Sequence, residues 1–77
     1  MSTTQKFLVE ANRVAGGSDY FRWRAVGTNL GYSESESDQA MRSLNDRKLV
    51  ILLLEGDARI LAAGRKLALR LDAPMRK

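Results

Sequence analysis

The chain has 77 residues, contains no cysteine and no histidine, and carries 13 basic and 9 acidic side chains, for a net charge of +4. This length predicts one domain with a small core. The missing residue types exclude disulfides, thiolate nucleophiles, imidazole bases and the usual zinc ligands. We therefore expect a protein that is not an enzyme, has no cofactor and has no evident small-molecule ligand.

Membrane and secretory classes are disfavoured by the hydropathy pattern. Residues 1–6 lack the charged and then apolar order of a signal peptide, and the longest apolar run, Leu49 to Leu54, is too short to span a bilayer. The sequence thus predicts a cytoplasmic protein without a membrane partner.

The charges are unevenly distributed along the chain. Residues 1–30 sum to +2, residues 31–48 to −1 and residues 49–77 to +3. A basic balance attracts polyanions such as nucleic acid, but a charge of +4 is also common in soluble domains of this size. Composition therefore leaves nucleic-acid binding open.

The first predicted element is a helix from Thr4 to Ala15, started by a cap at Thr3 or Thr4 and ended by Gly16 and Gly17. Its apolar residues recur at helical spacing: Phe7, Leu8, Ala11, Val14 and Ala15. Residues 20–22 follow, and their two aromatic side chains favour a very short strand or an extended connector.

A second helix is predicted from Trp23 to Leu30, with Gly31 as its stop. Ser33 and Glu36 then form an S-x-x-E capping box, which predicts a third helix from Glu34 to about Arg47.

The acids of this segment suit the start of the third helix. Glu34, Glu36 and Asp38 lie in its first two turns, where the helix dipole favours negative side chains. Arg47 and Lys48 stand at the opposite end, where cations are favoured. Charge polarity therefore predicts both ends of this helix.

A β-hairpin is predicted next, with Leu49–Leu54 and Ala58–Leu61 as strands around a tight turn. Alternation points Val50, Leu52 and Leu54 to one face and Ile51 and Leu53 to the other, so one set needs a cover from the last helix or from a dimer seam. A last helix follows from about Ala63 to Leu71, and residues 72–77 are expected to form a flexible tail.

The segment from Trp23 to Val50 resembles the winged helix-turn-helix domains of bacterial and archaeal transcription regulators. In that family pattern, small and apolar residues surround the turn glycine and continue along the next helix, and these positions are filled by Gly27, Leu30, Gly31, Tyr32, Ala40, Met41 and Leu44. Residues 40–50 look like the family's "A-L-x-x-L-x-x-x-G-L-V" ending. Residues 50–61 look like its wing, and residues 61–68 like the following "L-T-x-x-G-R-x-L-A", one residue shorter.

This resemblance implies a mainly α fold with a small β-hairpin wing, in the order α-α-α-β-β-α with an additional short strand near residues 20–22, as one domain over residues 1–77. Two positions depart from the pattern. Ser37 stands where the family has a buried Val or Ile, which predicts looser helix packing, and Lys48 replaces the usual Gly after the third helix.

The resemblance also implies a transcriptional regulator that binds double-stranded DNA and places its third helix in the major groove. The base-facing residues carried over are Ser33, Ser35, Asp38, Gln39, Arg42 and Ser43. Backbone contacts are expected from Arg22, Arg24 and Arg59, with Arg65, Lys66 and Arg70 as a further basic rim or as solvated residues. For Arg22 and Arg24 the alternative is a surface ion pair with Asp19 or Glu10.

The alternative function is a winged-helix module for protein contact, because Glu34 and Asp38 on one helix face would repel phosphate. For the DNA-binding protein a homodimer is expected, with a seam on the terminal helices near Leu67, Leu69 and Leu71. Trp23 is expected in the core or in a dimer contact.

Overall fold

The computed structural model describes residues 1–73, which form four helices and three short strands. The helices are α1 (Thr3–Ala15), α2 (Trp23–Leu30), α3 (Glu34–Asp46) and α4 (Ala62–Asp72). The strands are β1 (Tyr20–Arg22), β2 (Val50–Leu52) and β3 (Asp57–Ile60), and a 3-10 turn at Leu54–Gly56 joins the last two. The predicted order of elements is confirmed, including the short strand before α2.

Helix α1 begins with a capping box that the sequence analysis did not identify. Ser2 Oγ accepts from the Gln5 backbone N–H at 3.1 Å, and the Ser2 N–H donates to Gln5 Oε1 at 2.8 Å. The cap is therefore Ser2, and the prediction of Thr3 or Thr4 was wrong, because a glutamine three residues after Ser2 can return the second bond.

The ends of α3 agree with the prediction to within one residue. Ser33 Oγ accepts from the Glu36 N–H at 3.1 Å, and Glu36 Oε1 accepts from the Ser33 N–H at 2.8 Å, which confirms the capping box. The helix ends at Asp46 and Arg47 serves as its C-cap. Lys48 then adopts the left-handed region at φ 60°, where the family pattern has glycine.

The C-terminal helix is longer than predicted at both ends. It includes Asp72, which had been assigned to the flexible tail, and Asp72 Oδ1 accepts from Arg13 Nη2 at 2.9 Å. This contact joins the last turn of α4 to α1. The remainder of the predicted tail, residues 74–77, lies outside the described residues.

The three strands form an antiparallel sheet in the order β1-β3-β2. Tyr20 pairs with Arg59 and Phe21 with Ala58, while β2 pairs Ile51 with Arg59 and Leu52 with Ala58. Side chains alternate across the sheet, so the row through Phe21 and Ala58 faces the core. The row through Tyr20 and Arg59 faces solvent.

The core lies between the inner face of the sheet and the helices. Its fully buried large side chains are Phe7, Leu8, Val26, Met41, Leu44, Val50 and Ile60. Trp23 and Phe21 belong to this core, and Leu67 and Leu71 of α4 pack against it. No helix within residues 1–73 is long and apolar enough to cross a bilayer.

The expected cover over one side of the hairpin is not formed within the chain. Val50 is buried, but the four apolar residues after it are exposed: Ile51, Leu52, Leu53 and Leu54. Of the alternating set Val50, Leu52 and Leu54, only Val50 is buried, so a cover by the last helix was wrong at two of three positions, while the other expected cover, a dimer seam, stays a prediction. Helix α4 packs on α1 instead, so it does not extend over the end of the hairpin.

Candidate interaction surface around helix α3

The turn between α2 and α3 is set by two glycines with different roles. Gly31 ends α2 in the left-handed conformation at φ 75°, and the following Tyr32 N–H donates to the Gly27 carbonyl at 2.8 Å. Gly27 is buried where α2 meets α3, and a Cβ atom there would overlap Ser37 Oγ. The prediction of looser packing at Ser37 was wrong, because Gly27 and Ser37 together let the two helices approach closely.

The six predicted base-facing residues differ in what their side chains already contact. Ser35, Gln39 and Arg42 are exposed on α3, and Asp38 and Ser43 are half-buried. Ser33 is exposed, but its hydroxyl is used in the helix cap. The structure therefore brings five of the six together on α3 and gives Ser33 a structural role.

Arg42 is held by the carboxylate one helical turn before it. Its Nε donates to Asp38 Oδ2 at 2.8 Å, and its side chain remains 73 % exposed. Neither terminal amino group of Arg42 has a hydrogen-bond partner among residues 1–73. Asp38 thus holds the guanidinium through Nε, while both terminal amino groups of Arg42 remain directed to solvent as hydrogen-bond donors.

Arg24 lies where α2, α3 and the hairpin turn meet. Its Nη2 is 3.3 Å from Glu34 Oε2, and its guanidinium carbon is 4.8 Å from the centre of the Trp23 ring. A Cβ atom at Gly56 would come within 3.1 Å of Arg24 Nη1, which places this arginine beside the hairpin turn. Arg24 is therefore positioned by an acid and an aromatic ring together.

The ion pairs of the other proposed backbone-contacting arginines are looser. Arg22 Nε is 4.0 Å from Asp57 Oδ1, and Arg59 Nη2 is 3.7 Å from Asp19 Oδ2. The alternative that Arg22 and Arg24 form surface ion pairs is confirmed, but the predicted partners Asp19 and Glu10 were wrong. The sheet register places Arg22 opposite Asp57, and the turn places Arg24 beside Glu34, whereas Asp19 faces β3 and α4.

Arg65 has a role that the sequence did not reveal. Its two terminal amino groups donate to Asn12 Oδ1, the Gly16 carbonyl, the Ser18 carbonyl and Asp19 Oδ1 at 2.8–3.2 Å. These bonds connect α4 to helix α1 at Asn12 and to the segment between α1 and β1. Arg65 therefore belongs to the framework of the fold rather than to a solvated basic rim.

The formal charges around α3 cancel. Residues 22–60 contain six basic and six acidic side chains, and the surplus of four positive charges belongs to residues 61–77. The turn of the hairpin adds no cation, because the residues between Val50 and Ala58 are apolar, acidic or glycine. Leu54 at this turn is 86 % exposed and Glu55 follows it at φ 61°.

Comparison of the chain with protein-family models, with curated proteins and with solved structures finds no match.

Proposed function

We propose that this chain is a winged helix-turn-helix protein that binds double-stranded DNA, with α3 in the major groove and the β2–β3 hairpin as the wing. The arrangement of α2, a left-handed glycine and α3 supports this assignment, because such a turn presents the second helix to a groove. We further propose that it acts in transcriptional regulation.

The observation that carries the proposal is the orientation of Arg42 by Asp38. An arginine that is held at Nε can offer its terminal amino groups to the O6 and N7 acceptors of guanine. Because Asp38 already restricts the side chain, less rotamer entropy is lost on binding. Gln39 lies beside this pair and has the donor and acceptor needed to read adenine.

In this arrangement the acids on α3 should weaken DNA binding less than the sequence suggests. Asp38 is paired with Arg42 and Glu34 with Arg24, so each carboxylate that would approach phosphate is accompanied by a cation. Arg24 at the start of α2 supplies the proposed backbone contact, whereas Arg22 and Arg59, which were also expected to contact the backbone, project from the sheet and lie near Asp57 and Asp19. Since the charges of residues 22–60 sum to zero, we expect modest affinity with a shallow salt dependence.

A second candidate function, protein contact through the same surface, is favoured by the hairpin. Its turn exposes Leu54 and Glu55 and carries no basic side chain. A wing that contacts DNA needs cations near phosphate, whereas an exposed apolar turn beside an acidic helix suits a partner protein with apolar and basic residues.

The experiment is a titration of a mixed-sequence duplex library at about 50 mM and about 200 mM salt. Arg42→Ala should cost about 1–3 kcal/mol of binding free energy and relax the preference at one base pair. Arg24→Ala should weaken all sequences equally and reduce the salt slope by about one unit. The control is Lys6→Ala on α1, which removes the same charge outside α2, α3 and the hairpin and should have little effect.

Asp38→Asn tests the orienting role of the acid. If Asp38 only opposes phosphate, the variant binds all duplexes more tightly, whereas the proposal predicts a loss of sequence preference because Arg42 is released. Absence of salt-dependent binding by the wild-type chain at low ionic strength would refute DNA binding and favour the second candidate.

A further inference from the structure

The solvent-facing side of the three-stranded sheet carries six side chains in two rows. The first row is formed by Tyr20, Arg59 and Ile51, which are opposite one another on β1, β3 and β2. Arg22 and Asp57 begin the second row, and Leu53 completes it, because its N–H donates to the Asp57 carbonyl at 2.9 Å. We call these six residues the outer sheet face.

The outer sheet face has apolar side chains on the β2 edge, charged side chains in the middle, and an aromatic and a basic side chain on the β1 edge. Tyr20 is 60 % exposed, Ile51 40 % and Leu53 41 %, values that are high for residues of these types. The ionic groups are balanced within the chain, since Arg22 lies near Asp57 and Arg59 near Asp19. A second protein surface could therefore approach without strong net repulsion.

We propose that the outer sheet face binds a second copy of this chain. The two copies are related by a two-fold axis that is perpendicular to the strands, parallel to the sheets and located between the two rows. This axis places each strand over the same strand of the second copy, and each row over the other row. Arg59 then lies over Asp57 of the second copy, and Asp57 over its Arg59. This matches opposite charges twice in one interface.

The side chains of the two edge strands, β1 and β2, are also complementary in this two-fold arrangement. On the β2 side, Ile51 lies over Leu53 of the second copy and Leu53 over its Ile51, which places apolar against apolar. On the β1 side, Tyr20 lies over Arg22 of the second copy, an arrangement that permits a cation–π contact. Every position of the outer sheet face thus meets a suitable neighbour, which selects a second copy over an unrelated partner.

This dimer is expected to be weak. Face-to-face sheets pack about 10 Å apart, and six side chains per copy, even with Leu54 at the margin, are far fewer than the roughly 20–30 residues of a standard interface. We expect a dissociation constant on the order of 100 µM. In this dimer the contact lies on the sheet and not on the terminal helices, since Leu67 and Leu71 pack against the core of their own chain.

The test uses two charge reversals and their mixture, followed by sedimentation equilibrium from about 10 µM to about 1 mM protein. Asp57→Arg leaves two arginines on β3, and Arg59→Asp leaves two acids, so each variant alone should remain monomeric to the highest concentration. An equimolar mixture should recover association at least as strong as wild type, because each arginine of one variant then meets an acid of the other. This recovery also shows that both variants are folded.

The control is Leu69→Asp, which changes an exposed leucine on α4 and should leave dimerisation unchanged. A wild-type chain that stays monomeric at about 1 mM would overturn the proposal. So would a dimer that survives both reversals, a dimer that Leu69→Asp abolishes, or a mixture of the two variants that remains monomeric.

Discussion

Gly27 of α2 and Ser37 of α3 occupy one tightly shared space: a Cβ atom at residue 27 would overlap Ser37 Oγ and come within 3.0 Å of Ser37 Cβ. Ser37 Oγ cannot move freely, because it donates to the Ser33 carbonyl at 3.0 Å. The angle and spacing between α2 and α3, which position Arg24 and Arg42, thus depend on two small residues.

Gly27→Ala should destabilise the fold by about 1–3 kcal/mol, although alanine has the higher helix propensity, because the added methyl group overpacks the contact. Adding Ser37→Ala removes the overlapping hydroxyl and should recover part of the loss. Urea unfolding of both single variants and the double variant gives the coupling energy. Additive effects would contradict the close contact.

Arg65→Ala should lower the free energy of unfolding by about 2 kcal/mol, since Asn12 of α1 and three acceptors on the segment between α1 and β1 lose a charged donor. Arg65→Lys should recover less than half of this loss, because an ammonium group cannot reproduce the planar fork. The adjacent Lys66→Ala is the control and should change stability by less than about 0.5 kcal/mol. Equal effects at residues 65 and 66 in thermal unfolding would contradict the assigned role.

Lys48→Gly should stabilise the protein by about 0.5–1 kcal/mol, because glycine adopts the left-handed conformation after α3 without the cost of a Cβ atom. Arg47→Gly is the matched control, since Arg47 has an ordinary φ of −85° and should gain nothing. Chemical denaturation measures both. A destabilised Lys48→Gly variant would show that the lysine side chain contributes more than the backbone conformation costs.

Ser33→Ala should cost about 1 kcal/mol of stability by removing the cap of α3. Ser35→Ala, two residues further on and exposed, should have a small effect on stability. If Ser33 acts only as a cap, the proposed DNA binding predicts that the folded variant shows the same sequence preference as the wild-type chain. Thermal unfolding and the duplex titration separate these two readouts.

Tyr32 should make the fold sensitive to alkaline pH. Burial, and secondarily the negative charge of Glu36, raise the pKa of Tyr32 above its ordinary value of 10.0, and its hydroxyl donates to the Thr3 carbonyl at 3.0 Å. Because the folded-state pKa is the higher one, the stabilisation is complete below pH 10.0 and is lost as the pH rises through the raised pKa.

Tyr32→Phe should remove this alkaline loss together with the hydrogen bond to Thr3. Glu36→Gln should reduce the loss, because glutamine keeps the capping geometry without the charge. Stability measured by urea unfolding as a function of pH checks both variants. Identical alkaline slopes for the wild-type chain and Tyr32→Phe would assign the effect to other groups.

The kinds of elements, and the ends of the helices to within one residue, were determined by the sequence alone. The Ser33–Glu36 capping box, Gly31 after α2 and the apolar spacing of α2 each act over four residues or fewer, so the information is contained in the segment itself. The same locality explains the error at the start of α1, where Ser2, Thr3 and Thr4 are all competent caps and only the Gln5 side chain favours the first.

Only the tertiary structure decided which charges meet and which apolar residues remain exposed. Arg65 and Asp19 are 46 residues apart in the chain, and Arg24 reaches Glu34 across the turn between two helices. Alternation divided the hairpin into two faces, but whether α4 covers one of them depends on how α4 packs against α1. Such contacts depend on the relative placement of whole elements, which no short stretch of sequence encodes.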